Sequence, residues 1–184
     1  MEYRIRIAEE KDAKAIHDIY GEYVGGNDVT FTVYNPSVEQ YREKIINTKK
    51  MYPFFVAQDT DGQILGYCSG TALRPHDAYR WNVESTIMLG KDTPRRQGIA
   101  TALYTEFIRT LKKQNFQYVY GVLVDTNTAS IALHKSLGFQ EVGHFENAGY
   151  KNGKWLGILW MQKYIGDRSN RVEEPVPFEK LLLG

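Results

Sequence analysis

Arg95-Arg96-Gln97-Gly98-Ile99-Ala100-Thr101 is the stretch on which the reading of this chain turns. A strand-like run, Glu84 to Leu89, precedes it, and a helix-like run ending near Lys113 follows. A glycine-containing turn that opens a helix leaves several backbone N–H groups without intrahelical partners. Those groups and the positive end of the helix dipole together make an anion site. Arg95 and Arg96 add fixed positive charge beside it, and Gly98, lacking a Cβ, lets a phosphate approach the backbone. The competing reading is two solvated basic residues ahead of a helix, so the rest of the chain has to decide.

Working outward, 184 residues suffice for one well-buried core and are most simply one domain. With 23 basic and 22 acidic residues the net charge is +1, which argues against a generic nucleic-acid binder. No apolar run is long enough to span a bilayer, and the N-terminus has no signal-peptide pattern. The single cysteine, Cys68, cannot form an internal disulfide, so a reducing, cytoplasmic setting is expected. Four scattered histidines have no metal-ligand spacing, and no metal is expected.

Tyr3 to Ala8 alternates apolar and charged residues and reads as a strand. Asp12 is expected to cap a helix with Ala15, Ile16, Ile19, Tyr20 and Tyr23 as its apolar stripe, broken at Gly25-Gly26-Asn27-Asp28. An irregular segment, Val29 to Pro36, carries Phe31. Ser37 caps a second helix reaching about Asn47. Phe54 to Ala57 and Ile64 to Leu73 form a hairpin about Asp59-Thr60-Asp61-Gly62, and Arg74 to Asp77 is a loop. Trp81 to Leu89 is a strand, and Ile99, Ala102, Leu103, Phe107 and Leu111 mark the next helix. Tyr118 to Val124 is a β-branched and aromatic run expected to be a central strand. A short helix, Asn127 to Leu137, ends at Gly138. Gln140 to His144 and Leu156 to Tyr164 read as the last strands, with a turn at Lys151 to Lys154 between them. The order is β-α-α-β-β-β-α-β-α-β-β. Residues 166–184 read as a tail, either surface-laid or partly disordered, or else an interaction arm ending in Phe178, Leu181, Leu182 and Leu183.

That order, with three motifs in register, resembles the GNAT N-acetyltransferases over roughly residues 1–165. The motifs are the Arg95–Thr101 loop, the run Asn127-Thr128-Ala129-Ser130 with His134 and Leu137-Gly138-Phe139, and Tyr79-Arg80-Trp81-Asn82-Val83-Glu84-Ser85-Thr86. The third, with Gly149 to Trp155, is similar to the phosphinothricin acetyltransferase branch. The resemblance implies an α/β GNAT fold: a mixed, mostly antiparallel sheet flanked by helices, with splayed central strands. This chain departs from the branch at His76, where a second Arg is common, at Gly157, where Asp is common, and at Ala100, where Gly is usual.

Acetyl-CoA is then the implied donor. Its pyrophosphate would lie on Arg95, Arg96, Gln97, Gly98, Ile99, Ala100 and Thr101. Its pantetheine arm would lie along Ile87, Met88 and Leu89, with Asn127 and Ser130 on the next helix, and Met88's amide is the expected oxyanion donor. Glu84 is the candidate general base: a carboxylate between apolar strand neighbours is partly desolvated, which raises its pKa. The competing reading pairs Glu84 with a basic neighbour on a solvated face. His134 occupies the position of a tyrosine that protonates the leaving thiolate in many members, and is either such an acid or a structural histidine. Phe31, Arg74, His76 and Tyr79 are expected to surround the acceptor, with Arg74 suited to a carboxylate or phosphinate. The branch implies a small amino-acid-like amine of the phosphinothricin or methionine sulfoximine/sulfone class, and a homodimer. An acetyltransferase for a protein N-terminus or polyamine, or a non-catalytic CoA-binding module, are the alternatives.

Overall fold

The computed structural model describes residues 1–25, 27–167 and 172–183. Gly26 of the anticipated glycine break and residues 168–171 and 184 of the tail lie outside them. Seven strands form one sheet: β1 (Tyr3–Ile7), β2 (Phe54–Asp59), β3 (Ile64–Ala72), β4 (Asn82–Leu89), β5 (Tyr118–Val124), β6 (Gln140–Lys151) and β7 (Lys154–Tyr164). Their spatial order is β1-β2-β3-β4-β5-β7-β6. The β4–β5 pair is parallel and the other neighbours are antiparallel. The helices are α1 (Ala13–Gly21), α2 (Val38–Met51), α3 (Ile99–Lys113), α4 (Thr128–Ser136) and the short α5 (Phe178–Leu181).

Each face of the sheet has its own core, set by strand alternation. Phe54, Val56 and Tyr67 pack with Ile16 and Ile19 of α1 and with Tyr41 and Ile45 of α2. Phe55, Cys68, Val83, Val119 and Met161 point the other way, onto Leu103, Phe107 and Leu111 of α3. In β5, Val119 and Leu123 join the α3-side core, while Tyr118 and Tyr120 on the other face are half-buried among Tyr164 and Trp160 rather than covered by a helix.

Local chemistry sets most boundaries as anticipated. Ser37 caps α2 in a capping box with Gln40. Gly62 (φ +87°) turns the β2–β3 hairpin and Gly138 (φ +81°) closes α4. Asp12 is a correction. It stands at the start of α1, but its carboxylate makes no bond to that helix. It instead receives both ends of the Arg6 guanidinium (2.7 and 2.8 Å) and the Glu9 amide (2.8 Å). A buried charge takes the strongest partner in reach, and a bidentate Arg exceeds a helix amide. The last two strands are also longer than anticipated and meet at Asn152-Gly153. Both turn residues are left-handed (φ +52° and +78°), as a two-residue hairpin requires. Polar residues and the interruption near Asn147 hide this hairpin from a periodicity reading.

The described part of the tail lies against the body. Phe178 is buried and stands edge-on to Phe55 at 6.1 Å. Gln114 donates from its side chain to Val176 O (2.7 Å) and accepts from the Val176 amide at its own carbonyl (2.9 Å). Trp81 Nε1 donates to Glu173 O (2.8 Å).

Candidate active site

The β4–β5 pair opens where the site lies. Parallel pairing joins Asn82–Ser85 to Tyr118–Gly121 and ends there, while β4 runs on to Leu89 and β5 to Val124. A cleft of about 690 Å³ fills the opening. Glu84, Ile87, Met88, Leu89, Arg95, Ala100, Asn127, Ser130, His134 and Phe31 all line it. The structure thus brings ten of the candidate residues, from four separate segments, into one cavity. Arg96, Gln97, Gly98, Ile99 and Thr101 stand at its end in the turn and first residues of α3. Arg74, His76 and Tyr79 belong to the loop beyond Glu84 and do not line the cleft. Tyr79 is 43% exposed.

The divergence leaves one edge of β4 without a strand partner. Gly90 N donates to Leu65 O (3.0 Å), and no register shift interrupts the β3–β4 ladder. Backbone groups alternate sides along a strand, so Met88's amide faces Tyr67 of β3. The amides of Ile87 and Leu89 face the opening instead. The anticipated oxyanion donor, Met88, is therefore turned away from the cleft, and Ile87 takes the inward position. Leu89 O is held by the Tyr23 hydroxyl at 2.6 Å.

At the end of the cleft, Arg96 (φ +61°) and Gly98 (φ +76°) both adopt left-handed backbone. This alternation curls successive N–H groups toward one concave side, a shape suited to an anion. The first helical bond of α3 is Ala102 N to Gly98 O (2.8 Å), and no side chain caps the helix. The amides of Ile99, Ala100 and Thr101 are therefore left for a ligand. On the opposite wall, Asn127 caps α4 through Oδ1, which accepts from Ser130 N (3.2 Å), leaving its NH₂ group to bond elsewhere. An elongated donor carrying a diphosphate and amide groups fits these elements.

Glu84 lies on the α1/α2 face of the sheet, between Thr71 of β3 and Tyr120 of β5. Burial raises its pKa, and the Arg74 charge opposes that shift without reversing it. Arg74's guanidinium rests over the Trp160 ring at 5.0 Å. Trp160 was missed by the sequence reading. Its signal was alternation in β7, which puts it opposite Val122 on the face shared with Tyr120.

Behind β4 lies a second feature the sequence reading missed. Tyr104 of α3 is fully buried, and its hydroxyl meets Ser85 Oγ (2.9 Å) and His134 Nε2 (2.7 Å). His134 Nδ1 donates to Ser130 O (2.7 Å). That bond fixes the tautomer, so Nε2 accepts from Tyr104. Burial lowers the His134 pKa, against the opposing Ser130 bond, and the ring is neutral near pH 7. Both ring nitrogens are engaged and His134 is 1% exposed. A tyrosine on an otherwise apolar helix stripe, needing a hydroxyl partner, was the signal for this chain of contacts.

Gly157, where Asp is common in the branch this chain resembles, has its side-chain space already filled. A Cβ there would overlap the Asp125 carboxylate and come within 2.9 Å of His144 Nε2. Asp125 and His144 already pair at 3.0 Å in that space.

Comparison with known families matches residues 5–160 to the acetyltransferase (GNAT) domain. The L-methionine sulfoximine/L-methionine sulfone acetyltransferase of Pseudomonas aeruginosa is 32% identical, covering 88% of this chain and 94% of its own. The phosphinothricin N-acetyltransferase of Streptomyces viridochromogenes is 29% identical, covering 86% of each. Among solved structures, a phosphinothricin acetyltransferase from Sinorhizobium meliloti in complex with AcCoA superposes with TM-score 0.88. It is 31% identical over 97% of both chains.

Proposed function

Because this chain belongs to the GNAT acetyltransferase family and is an acetyl-CoA-dependent N-acetyltransferase, we propose that its acceptor is the primary amine of a small amino acid bearing an oxidised or acidic side group. The phosphinothricin and methionine sulfoximine/sulfone relatives support this class. The observation that carries it is Glu84 in the cleft wall, half-buried with its pKa raised by burial, while the guanidinium of Arg74, on the loop beyond it, rests over Trp160. A base inside the cleft and a cation on the loop at its acceptor end suit an acceptor with an amine at one end and a negative group at the other.

In this reading the chain's residues divide the work. The α3 amides, with Arg95 and Arg96, hold the donor's diphosphate. The free β4 edge at Ile87 and Leu89 lines up the donor's amide-bearing arm, with Asn127 opposite. Acetyl-CoA supplies an activated thioester. Glu84 accepts a proton from the acceptor ammonium, and the freed lone pair forms the N–C bond. The C–S bond breaks with its electron pair on sulfur, and the nitrogen's second proton passes to the thiolate or to solvent. Ile87's amide serves the developing oxyanion. His134, neutral and fully engaged, positions α4 and Ser85 in this scheme and donates no proton. We also place the enzyme in the cytoplasm as a homodimer, with the exposed Tyr150–Trp155 pair as apolar surface for the interface.

A thiol-release assay over free amino acids and their oxidised analogues tests the acceptor class. Methionine sulfone and phosphinothricin should turn over best. Arg74→Lys, which keeps charge but loses the planar fork, should raise KM for them about tenfold. A preference for polyamines or for peptide N-termini would refute the assignment.

A further inference from the structure

The acceptor side of the cleft is walled by Phe31, which stands on a segment with almost no structure of its own. Its backbone is held from two directions. On one side the Tyr20 hydroxyl meets Thr30 Oγ1 (2.9 Å) and Thr32 Oγ1 (2.5 Å). On the other, the tip of the β6–β7 hairpin grips it. Lys151 Nζ donates to Thr30 O (2.6 Å), Asn152 Nδ2 to Gly25 O (2.8 Å), and Lys154 pairs with Asp28 (2.5 Å). Lys151 is 5% exposed, so this clamp is drawn in rather than laid on the surface.

The Phe31 ring itself has a seat. A Cβ built on Gly149 would lie 2.5 Å from Phe31 Cε1 and 2.6 Å from Cδ1. Gly149 is outside the left-handed region. Its backbone would accept any residue, and the space taken by the ring is what a side chain would meet. The same ring lines the cleft. With the segment clamped on both sides, a side chain at 149 must displace the 36%-exposed Phe31 ring from the position in which it walls the cleft.

We infer that Gly149 is a specificity-determining residue: by leaving room for the Phe31 ring it sets the depth of the acceptor pocket, and the hairpin tip keeps that ring in register. This rests on the acceptor reading given above. A methyl at 149 forces the ring back by about 0.9 Å to reach ordinary contact, a displacement that overpacks a pocket sized for a small ligand.

The test is Gly149→Ala, alone and with Phe31→Ala, using methionine sulfone as acceptor. Gly149→Ala should raise KM at least about tenfold with kcat less affected, and acetyl-CoA affinity by calorimetry should stay within about twofold. In the Phe31→Ala background the same change should alter KM less than about threefold. An unchanged KM in Gly149→Ala, or an equal rise with the ring removed, would overturn the inference. If the single variant fails to fold and the double variant folds, the seat is supported; equal failure of both would overturn it. If the wild type releases no thiol with any amino-acid acceptor, the acceptor reading fails separately. A crystal structure of Gly149→Ala then decides the seat, by whether the ring has moved or stayed.

Discussion

Gly121→Ala probes the point from which the cleft opens. Gly121 is the last residue of β5 paired to β4, opposite Ser85. A Cβ there would lie 2.6 Å from His134 Nε2 and 2.8 Å from its Cδ2. Ordinary contact begins near 3.4 Å, so the ring must retreat about 0.8 Å. It cannot do so freely, because Ser130 O holds one nitrogen and the Tyr104 hydroxyl holds the other, at 2.7 Å each. Overpacking costs about 1–3 kcal/mol, and stretching the buried Tyr104 bond adds up to about 1 kcal/mol. A loss of about 2–3 kcal/mol should lower the melting temperature by about 5–10 °C for a domain of this size. Thermal unfolding and denaturant titration measure it. The decisive version is a double-mutant cycle with His134→Ala, which removes the obstructing ring. The two changes together should then cost at least about 1 kcal/mol less than their sum. Additivity within about 0.5 kcal/mol, or a melting temperature within about 2 °C of wild type for the single variant, would refute the view that the two hydrogen bonds hold the His134 ring fixed against Gly121.

The remaining predictions concern the base and the tail. A general base works only when deprotonated, and the Glu84 pKa is raised by burial. The acid limb of kcat/KM should therefore lie above the ordinary carboxylate range, with activity rising as pH climbs through it, and Glu84→Gln should abolish that limb and lower the rate about 10²–10⁴-fold. The stability effect has the opposite sign. A raised pKa means that the folded state binds the proton more tightly, so the ionised carboxylate costs stability above its unfolded value and not below it. Glu84→Gln should thus melt slightly higher than wild type at pH 7 while being nearly inactive, and a loss of both stability and activity would point to misfolding. Phe178→Ala empties a site against Phe55 in the main core and should cost about 3 kcal/mol or more in chemical denaturation; a change under about 0.5 kcal/mol would mean that the tail is not docked in solution.

The chain's local chemistry was sufficient for the element order and for the turn that opens α3 at the end of the cleft. Gly98 before an apolar helical stripe, the Ser37 capping box and the Asp-Gly and Asn-Gly turns act over three or four residues, so they can be read along the sequence. Glu84 in the cleft wall was singled out through its family resemblance, since the residues alone also fit an ion-paired glutamate on a solvated face. Other features depend on which side a group faces once strands are paired. That Ile87 and not Met88 presents its amide follows from the β3–β4 register, which lies in residues more than twenty positions away. That Asp12 binds Arg6 and the Glu9 amide rather than capping α1 follows from β1 bringing the guanidinium within 2.7 Å. The enclosure of His134, the Trp160 shelf under Arg74 and the Gly149 seat for Phe31 each join segments distant in sequence. Sequence periodicity shows which face a residue occupies, but only packing of one face on another shows what it meets there.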